Sequence, residues 1–278
     1  MGRQEEKVRL DELLVKAGLC ESREKAQRLI LSNQVRVEGY AYPLKPSTRV
    51  ERSAVVSLLE KSRFVSRGGE KLARALEESD LSLQGFVFAD IGASTGGFTD
   101  CLLQHGAKKV YAIDVGYGQL HERLRQDPRV VVMERLNARY LTPESIGEPL
   151  DGITVDVSFI SLTILFAPLV RLLKEEGIFI ALIKPQFEAG RAKVKKGVVK
   201  DPLVHQEVLL RVLAEAERHS LHLHGLTFSP LLGPQGNIEF LGYWRKTGFP
   251  LTEEQRRSII VSVIEKAHSF FQDRGAWR

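Results

Sequence analysis

From residue 86 onward, short apolar runs alternate with stretches whose apolar positions recur every three or four residues. The runs lie at 87–91, 110–115, 130–134, 153–157 and 178–184. They are rich in Val, Ile, Phe and Ala and read as strands. Residues 97–105, 119–126 and 162–173 carry helical periodicity between them. Such alternation predicts a parallel sheet with helices on both faces. A long helix follows at 202–219. Two strands, 221–232 and 238–245, are joined by Gly233-Pro234-Gln235-Gly236-Asn237, and so short a turn implies an antiparallel hairpin at the sheet edge. A last helix, 253–271, starts from a capping box, Thr252-x-x-Gln255, and carries Ile259, Ile260, Val263, Ile264 and Ala267 as one stripe.

The N-terminal quarter has a different pattern. Leu10, Leu13, Leu14 and Ala17 predict a helix over 8–18, ended by Gly18. Ser22 caps a second helix over 23–33, with Ala26, Leu29 and Ile30 on one face and Arg23, Lys25 and Arg28 on the other. A strand at 35–37, a turn at Gly39, a loop holding Pro43 and Pro46, and a strand at 55–59 complete a small α+β unit. Residues 61–70 hold two glycines and three basic residues and predict a flexible linker, with a helix from 70 to 78 beyond it. The expected organisation is a small domain over 1–60, a linker over 61–70 and an α/β domain over 71–278.

Composition narrows the classes. With 43% hydrophobic and 27% charged residues among 278, the chain is that of a soluble globular protein. No apolar run reaches the ~18 residues a spanning helix needs, and the charged first residues do not read as a signal peptide. Cys20 and Cys101 form no CxxC pair, which fits a cytoplasmic protein, and the seven histidines show no metal-ligand spacing, so no metal is implied. Residues 1–71 hold 15 Lys and Arg against 10 Asp and Glu, whereas 72–278 hold 25 of each. The whole basic excess sits in the small unit, which points to a polyanionic partner.

The richest chemistry follows the first strand of the α/β domain, in Asp90-Ile91-Gly92-Ala93-Ser94-Thr95-Gly96-Gly97-Phe98-Thr99. A strand that turns through glycines into a helix suits a nucleotide-like ligand. The loop is not a phosphate-binding P-loop, because Phe98 stands where the lysine belongs. Nor is it G-x-G-x-x-G, because Ser94 takes the second glycine position. Asp90-x-Gly92-x-x-x-Gly96-Gly97 resembles the first motif of S-adenosylmethionine methyltransferases. Asp114 ends the second strand, where a carboxylate can accept both ribose hydroxyls of an adenosine. Asn137 follows the third strand and is a candidate adenine contact.

Four further residues sit at element ends: Lys71, Asp156, Lys184 and Glu239. Asp156 and Lys184 end the fourth and fifth strands, where an open α/β sheet places its ligand crevice, and charges so flanked by apolar residues are paired or functional. The basic segment Arg191, Lys193, Lys195, Lys196 and Lys200 follows directly, as either a solvated loop or a grip on substrate.

Two resemblances follow from these motifs. R-L-D-x-L-L, S-R-x-x-A-x-x-L-I and V-x-V-x-G resemble the S4 RNA-binding domain. Lys71, Asp156, Lys184 and Glu239 match, in order and context, the K-D-K-E tetrad of FtsJ-type RNA ribose 2'-O-methyltransferases. With S-R-G-G-x-K-L and L-I-K-P-Q-F-E, the chain over about 8–245 is similar to the TlyA (hemolysin A-like) family. The resemblance implies a Rossmann-like methyltransferase sheet preceded by an S4 domain, and S-adenosylmethionine held by Asp90, Gly92 to Thr99, Asp114, Asn137 and Asp156. It implies the catalytic set Lys71, Asp156, Lys184 and Glu239, and ribosomal RNA or ribosomal subunits as partner, with cytidine as the modified nucleoside. RNA contacts are expected from Arg9, Arg23, Lys25, Arg28, Arg63, Arg67, Arg191, Lys193, Lys195 and Lys196. Lys184 would act as a base, or as an electrostatic stabiliser of the alkoxide if it stays charged. Two rivals remain: a non-enzymatic RNA-binding assembly factor, opposed by the complete tetrad, and a membrane-active lysin, opposed by the lack of a spanning segment.

Overall fold

The computed structural model describes residues 6–31, 34–40, 44–58, 63–79 and 81–274. The chain divides into two compact units, 1–62 and 63–278.

In the first unit β1 (Lys7–Arg9) leads into α1 (Leu10–Lys16), then α2 (Arg23–Leu31), β2 (Val35–Val37), β3 (Arg49–Glu51) and β4 (Val56–Leu58). β1 pairs antiparallel with β3, and β2 with β4. Leu10, Leu14, Ala26, Ile30, Val35 and Val50 form its core. Gly18 takes φ +70°, and the Ser22 hydroxyl accepts the Lys25 N–H at 3.2 Å, so both helix-boundary signals act as expected. The first helix starts two residues later than its pattern predicts, because Lys7–Arg9 are drawn into the ladder with β3. That three-residue strand was not expected, since so short a segment gains its pairing from tertiary contacts rather than from pattern. Positions 32, 33, 43 and 59 of the expected elements lie outside the described residues.

The second unit begins with α3 (Gly68–Ser79). β5 (Val87–Ile91), α4 (Gly97–Gln104), β6 (Lys109–Ile113), α5 (Glu122–Arg125), β7 (Val130–Met133), α6 (Pro143–Ile146), β8 (Leu150–Val155), α7 (Phe166–Val170) and β9 (Leu173–Ile183) follow. α8 (Pro185–Glu188), α9 (Pro202–Arg218), β10 (His222–Phe228), β11 (Phe240–Arg245) and α10 (Glu253–Asp273) complete it. The sheet runs β10-β11-β9-β8-β5-β6-β7. Its five strands from β5 to β9 are parallel, and β11 is antiparallel to both β9 and β10. Both faces are buried, as a parallel sheet requires. Alternation along β9 shows this: Phe179, Ala181 and Ile183 enter the core that holds Phe166 and Trp244, whereas Ile178, Ile180 and Leu182 enter the one that holds Phe88 and Phe98. Trp244 is fully buried, edge-on to Phe166 and Phe179 at 6.0 and 6.1 Å.

Three expectations change. The helix expected over 162–173 is a 3-10 turn (Leu162–Ile164) followed by the short α7, which contains Pro168, a residue without an N–H to extend a ladder. β9 starts at Leu173 rather than 178; exposed Lys174, Glu175 and Glu176 hide it from an apolar pattern. The described part of the expected linker, residues 63–70, is packed and partly helical. Phe64 is 2% exposed, Val65 N–H donates to Asp100 Oδ2 at 2.8 Å, Gln104 donates to the Arg63 carbonyl at 3.0 Å, and α3 already starts at Gly68. Residues 61 and 62 lie outside the described set.

β5 lies between β6 and β8, so the chain's strand order reverses at this strand and opens a crevice at its carboxyl end. Ile91 stands level with Ile113 on one side and Val155 on the other. The segments starting at Gly92, Asp114 and Asp156 therefore leave the sheet side by side.

Candidate active site

Two adjoining clefts open there, each of about 530 Å³. The first is lined by Gly92, Ser94, Asp114, Leu136, Asn137 and Ile160 among others. The second is lined by Lys71, Phe98, Asp156, Ser158, Lys184 and Gly233 among others. Gly92, Ser94, Asp156 and Ser158 border both.

The first cleft brings together the glycine loop, Asp114 and Asn137, the residues expected to hold an adenosine-like group. Gly92 and Ala93 N–H donate to the Ile113 carbonyl at 2.8 and 3.1 Å, which ties the loop to β6. Asp114 is aimed by backbone donors, Ser94 N–H to Oδ2 at 2.8 Å and Gly116 N–H to Oδ1 at 2.7 Å. Each carboxylate oxygen keeps acceptor capacity for a ribose diol. Asn137 lines this cleft while its Oδ1 caps the next turn through Arg139 N–H at 3.1 Å.

Asp90, Gly96 and Thr99, expected as cofactor contacts, line neither cleft. Asp90 and Thr99 lie fully buried under the loop, because the strand and helix that carry them pack against each other there. Thr99 and Thr154 hydroxyls donate to Asp90 at 2.6 and 3.0 Å, and burial pushes its carboxyl up to about 7. The folded form thus holds a proton that the unfolded chain releases near pH 4, so stability falls as pH rises through this window, by about 1.4 kcal/mol per unit inside it. Asp90→Asn removes that slope. Urea unfolding at pH 5 and pH 8 is expected to favour the variant, relative to the native chain, more at pH 8; a pH-independent difference contradicts it.

The four tetrad residues form two ion pairs. Lys184 Nζ is 2.6 Å from Asp156 Oδ1, out of line for a hydrogen bond, and donates to Ser158 Oγ at 3.0 Å. Lys71 Nζ donates to Glu239 Oε2 at 2.6 Å. Lys71, Asp156 and Lys184 line the second cleft; Glu239 is fully buried behind it, and Gln186 Nε2 approaches its other oxygen at 3.4 Å. A side chain on Gly233 would collide with the Glu239 carboxylate, so the glycine-rich turn makes room for it. Ser158 belongs to no motif and was not expected, and Gln186 and Glu188, although they lie in L-I-K-P-Q-F-E, were not expected as site residues. Glu188 accepts Leu162 N–H at 2.6 Å and Ser161 O–H at 2.7 Å, which fastens the segment after β8 to the helix after Lys184.

The FtsJ-like methyltransferase profile matches residues 64–246, and the S4 domain profile matches 8–56. The chain belongs to the FtsJ-like methyltransferases. YqxC of Bacillus subtilis is 46% identical over 284 residues, covering 97% of both chains. The 16S/23S rRNA (cytidine-2'-O)-methyltransferase TlyA of Mycobacterium tuberculosis is 44% identical over 244 residues, covering 87% of this chain and 90% of that one. A solved structure from Streptococcus thermophilus, described as a hemolysin, superposes with a TM-score of 0.76 at 42% identity and covers 97% of this chain and 98% of that one. The FtsJ-like domain takes S-adenosylmethionine as its methyl donor. No helix among the described residues is long and apolar enough to cross a membrane.

The expected RNA contacts of this FtsJ-like protein divide by their surroundings. In the S4 unit, Arg9 grips the fully buried Asp11 through two bonds of 3.0 and 2.9 Å, and Arg23 reaches the same carboxylate at 3.2 Å. The Arg9 guanidinium holds the Asp11 carboxyl well below the usual range. Much of the charge of these two arginines is therefore compensated inside the fold. Lys25 sits 3.8 Å from Glu21, while Arg28 is exposed. Arg28→Ala is expected to weaken RNA binding evenly across sequences and to lower the log–log salt slope by about 1; an unchanged slope removes Arg28 from the contact surface. In the second unit Arg63 pairs with Glu77 at 3.3 Å and Arg67 lines the second cleft. Lys193 pairs with Glu207, and with Lys195, Lys196 and Lys200 it lines a groove of about 480 Å³; Arg191 is exposed at the start of that segment.

Proposed function

We propose that this methyltransferase acts on the ribose 2'-hydroxyl of a cytidine in ribosomal RNA, in the cytoplasm, with the S4 domain binding the RNA. The observation that carries the reading is the pair of lysine–carboxylate bridges beside a cleft that adjoins the one lined by Gly92, Asp114 and Asn137. The relative from Mycobacterium tuberculosis carries that activity in its name.

When bound, S-adenosylmethionine supplies a methyl group on a sulfonium, whose C–S bond breaks with the electron pair left on sulfur. A 2'-hydroxyl attacks poorly until its proton leaves. Lys184, paired with Asp156 at 2.6 Å, lines the cleft where its charge stabilises a developing alkoxide. Lys71 adds a second positive charge to the cleft, and Glu239 fixes its place. The proton passes to solvent, so the balance is one O–C bond made, one S–C bond broken and one proton released. Fixing both reactants in two rigid clefts is worth up to ~7–11 kcal/mol of the barrier.

Labelled S-adenosylmethionine, incubated with small and large subunits from a strain lacking this protein, tests the substrate. Label is expected in ribosomal RNA of at least one subunit. Efficient cofactor binding with no label in either one overturns the reading in favour of an assembly factor.

A further inference from the structure

Ser158 carries an inference that the tetrad does not contain. It follows Asp156 by two residues and borders both clefts, so its hydroxyl stands where methyl donor and acceptor meet. Its Oγ is 3.0 Å from Lys184 Nζ. An ammonium has three N–H bonds and no lone pair, so Ser158 can only be the acceptor in that contact. Two consequences follow. The N–H that Lys184 gives to Ser158 leaves its other two in no hydrogen bond among the described residues, with Asp156 Oδ1 2.6 Å from Nζ but out of line. The Ser158 proton must point away from Lys184, and no acceptor for it stands among the described residues. A hydroxyl that accepts from a cation is polarised into a better donor.

We propose that Ser158 is a further catalytic residue, accepting from Lys184 and donating its own proton to a ribose oxygen of the target nucleotide. The inference rests on the methyl-transfer reading above. Ser158 then orients the acceptor sugar and aims the Lys184 ammonium at the same time. Because its side chain is exposed in the cleft, removing the hydroxyl leaves the fold intact.

The test compares native protein with Ser158→Ala and Ser158→Thr on ribosomal subunits that the native protein methylates. S-adenosylmethionine affinity is measured by calorimetry, and transfer by kcat and by KM for each substrate. Ser158→Ala is expected to lose tenfold or more in kcat, with cofactor affinity within about twofold of native. Ser158→Thr, which keeps the hydroxyl, is expected to recover most of the rate. Three results overturn the proposal: a native rate in the alanine variant, a loss of cofactor affinity parallel to the loss of rate, or no rescue by threonine. Absence of transfer by the native protein fails the underlying reading instead, so the two failures are distinguishable.

Discussion

Lys184→Ala is expected to abolish measurable methyl transfer while S-adenosylmethionine still binds. The separation follows from position. Lys184 lines the second cleft and not the first, where Asp114 and Asn137 stand. The residue is 8% exposed, so its charge acts in a medium poorer in water than bulk solvent and is worth more to a developing alkoxide. Loss of one preorganised donor of this kind costs about 100- to 1000-fold in rate. Alanine also leaves Asp156 without its counter-charge, which adds repulsion toward the alkoxide. Lys184→Arg is no substitute, because a planar guanidinium is bulkier and spreads its charge in a fork. Single-turnover transfer and cofactor calorimetry on the same preparation check this; a rate near native removes Lys184 from the chemistry.

Gly92→Ala is the second large effect, and it strikes cofactor binding. Gly92 holds φ +81°, a conformation that costs a residue bearing a side chain roughly 1–3 kcal/mol. A Cβ there would also lie 2.5 Å from the Asp156 carbonyl oxygen and 3.2 Å from Val157 Cγ1. The neighbour is backbone and cannot turn aside, so either the loop leaves β6 or the segment carrying Asp156 moves. The first damages the Asp114 cradle and the second the Lys184 pair. Affinity for S-adenosylmethionine is expected to fall at least about tenfold, equivalent to 1.4 kcal/mol, with a lower melting temperature. Native affinity in a folded variant contradicts this account of the loop.

Much of this architecture was legible in the chain itself. Alternating apolar runs and helical stretches pointed to the parallel sheet because both faces of such a sheet are buried and leave a strong pattern. The glycine loop and the tetrad were legible because the turn needs particular backbone conformations and the residues fall at strand ends. What stayed hidden depends on tertiary partners. β3 has three residues, and nothing local marks Arg49–Glu51 as a strand. Phe64 packs into the second unit, although its neighbours read as a linker. Asp90 looked like a ligand contact because it leads the motif; only the packing shows that its carboxylate faces two threonines instead. Arg9 and Arg23 looked like free cations because a buried acid, Asp11, cannot be recognised before the helices are docked. Ser158 lay in plain view two residues beyond Asp156, but a serine carries no signal until a lysine points at it.

The most direct measurement is the chemical identity of the methylated product. Ribosomal RNA labelled by this protein is digested to nucleosides and resolved by mass spectrometry against standards. The account predicts 2'-O-methylcytidine, with label at an alkali-resistant linkage in the intact RNA. Label on a base, at an alkali-sensitive linkage, would contradict it.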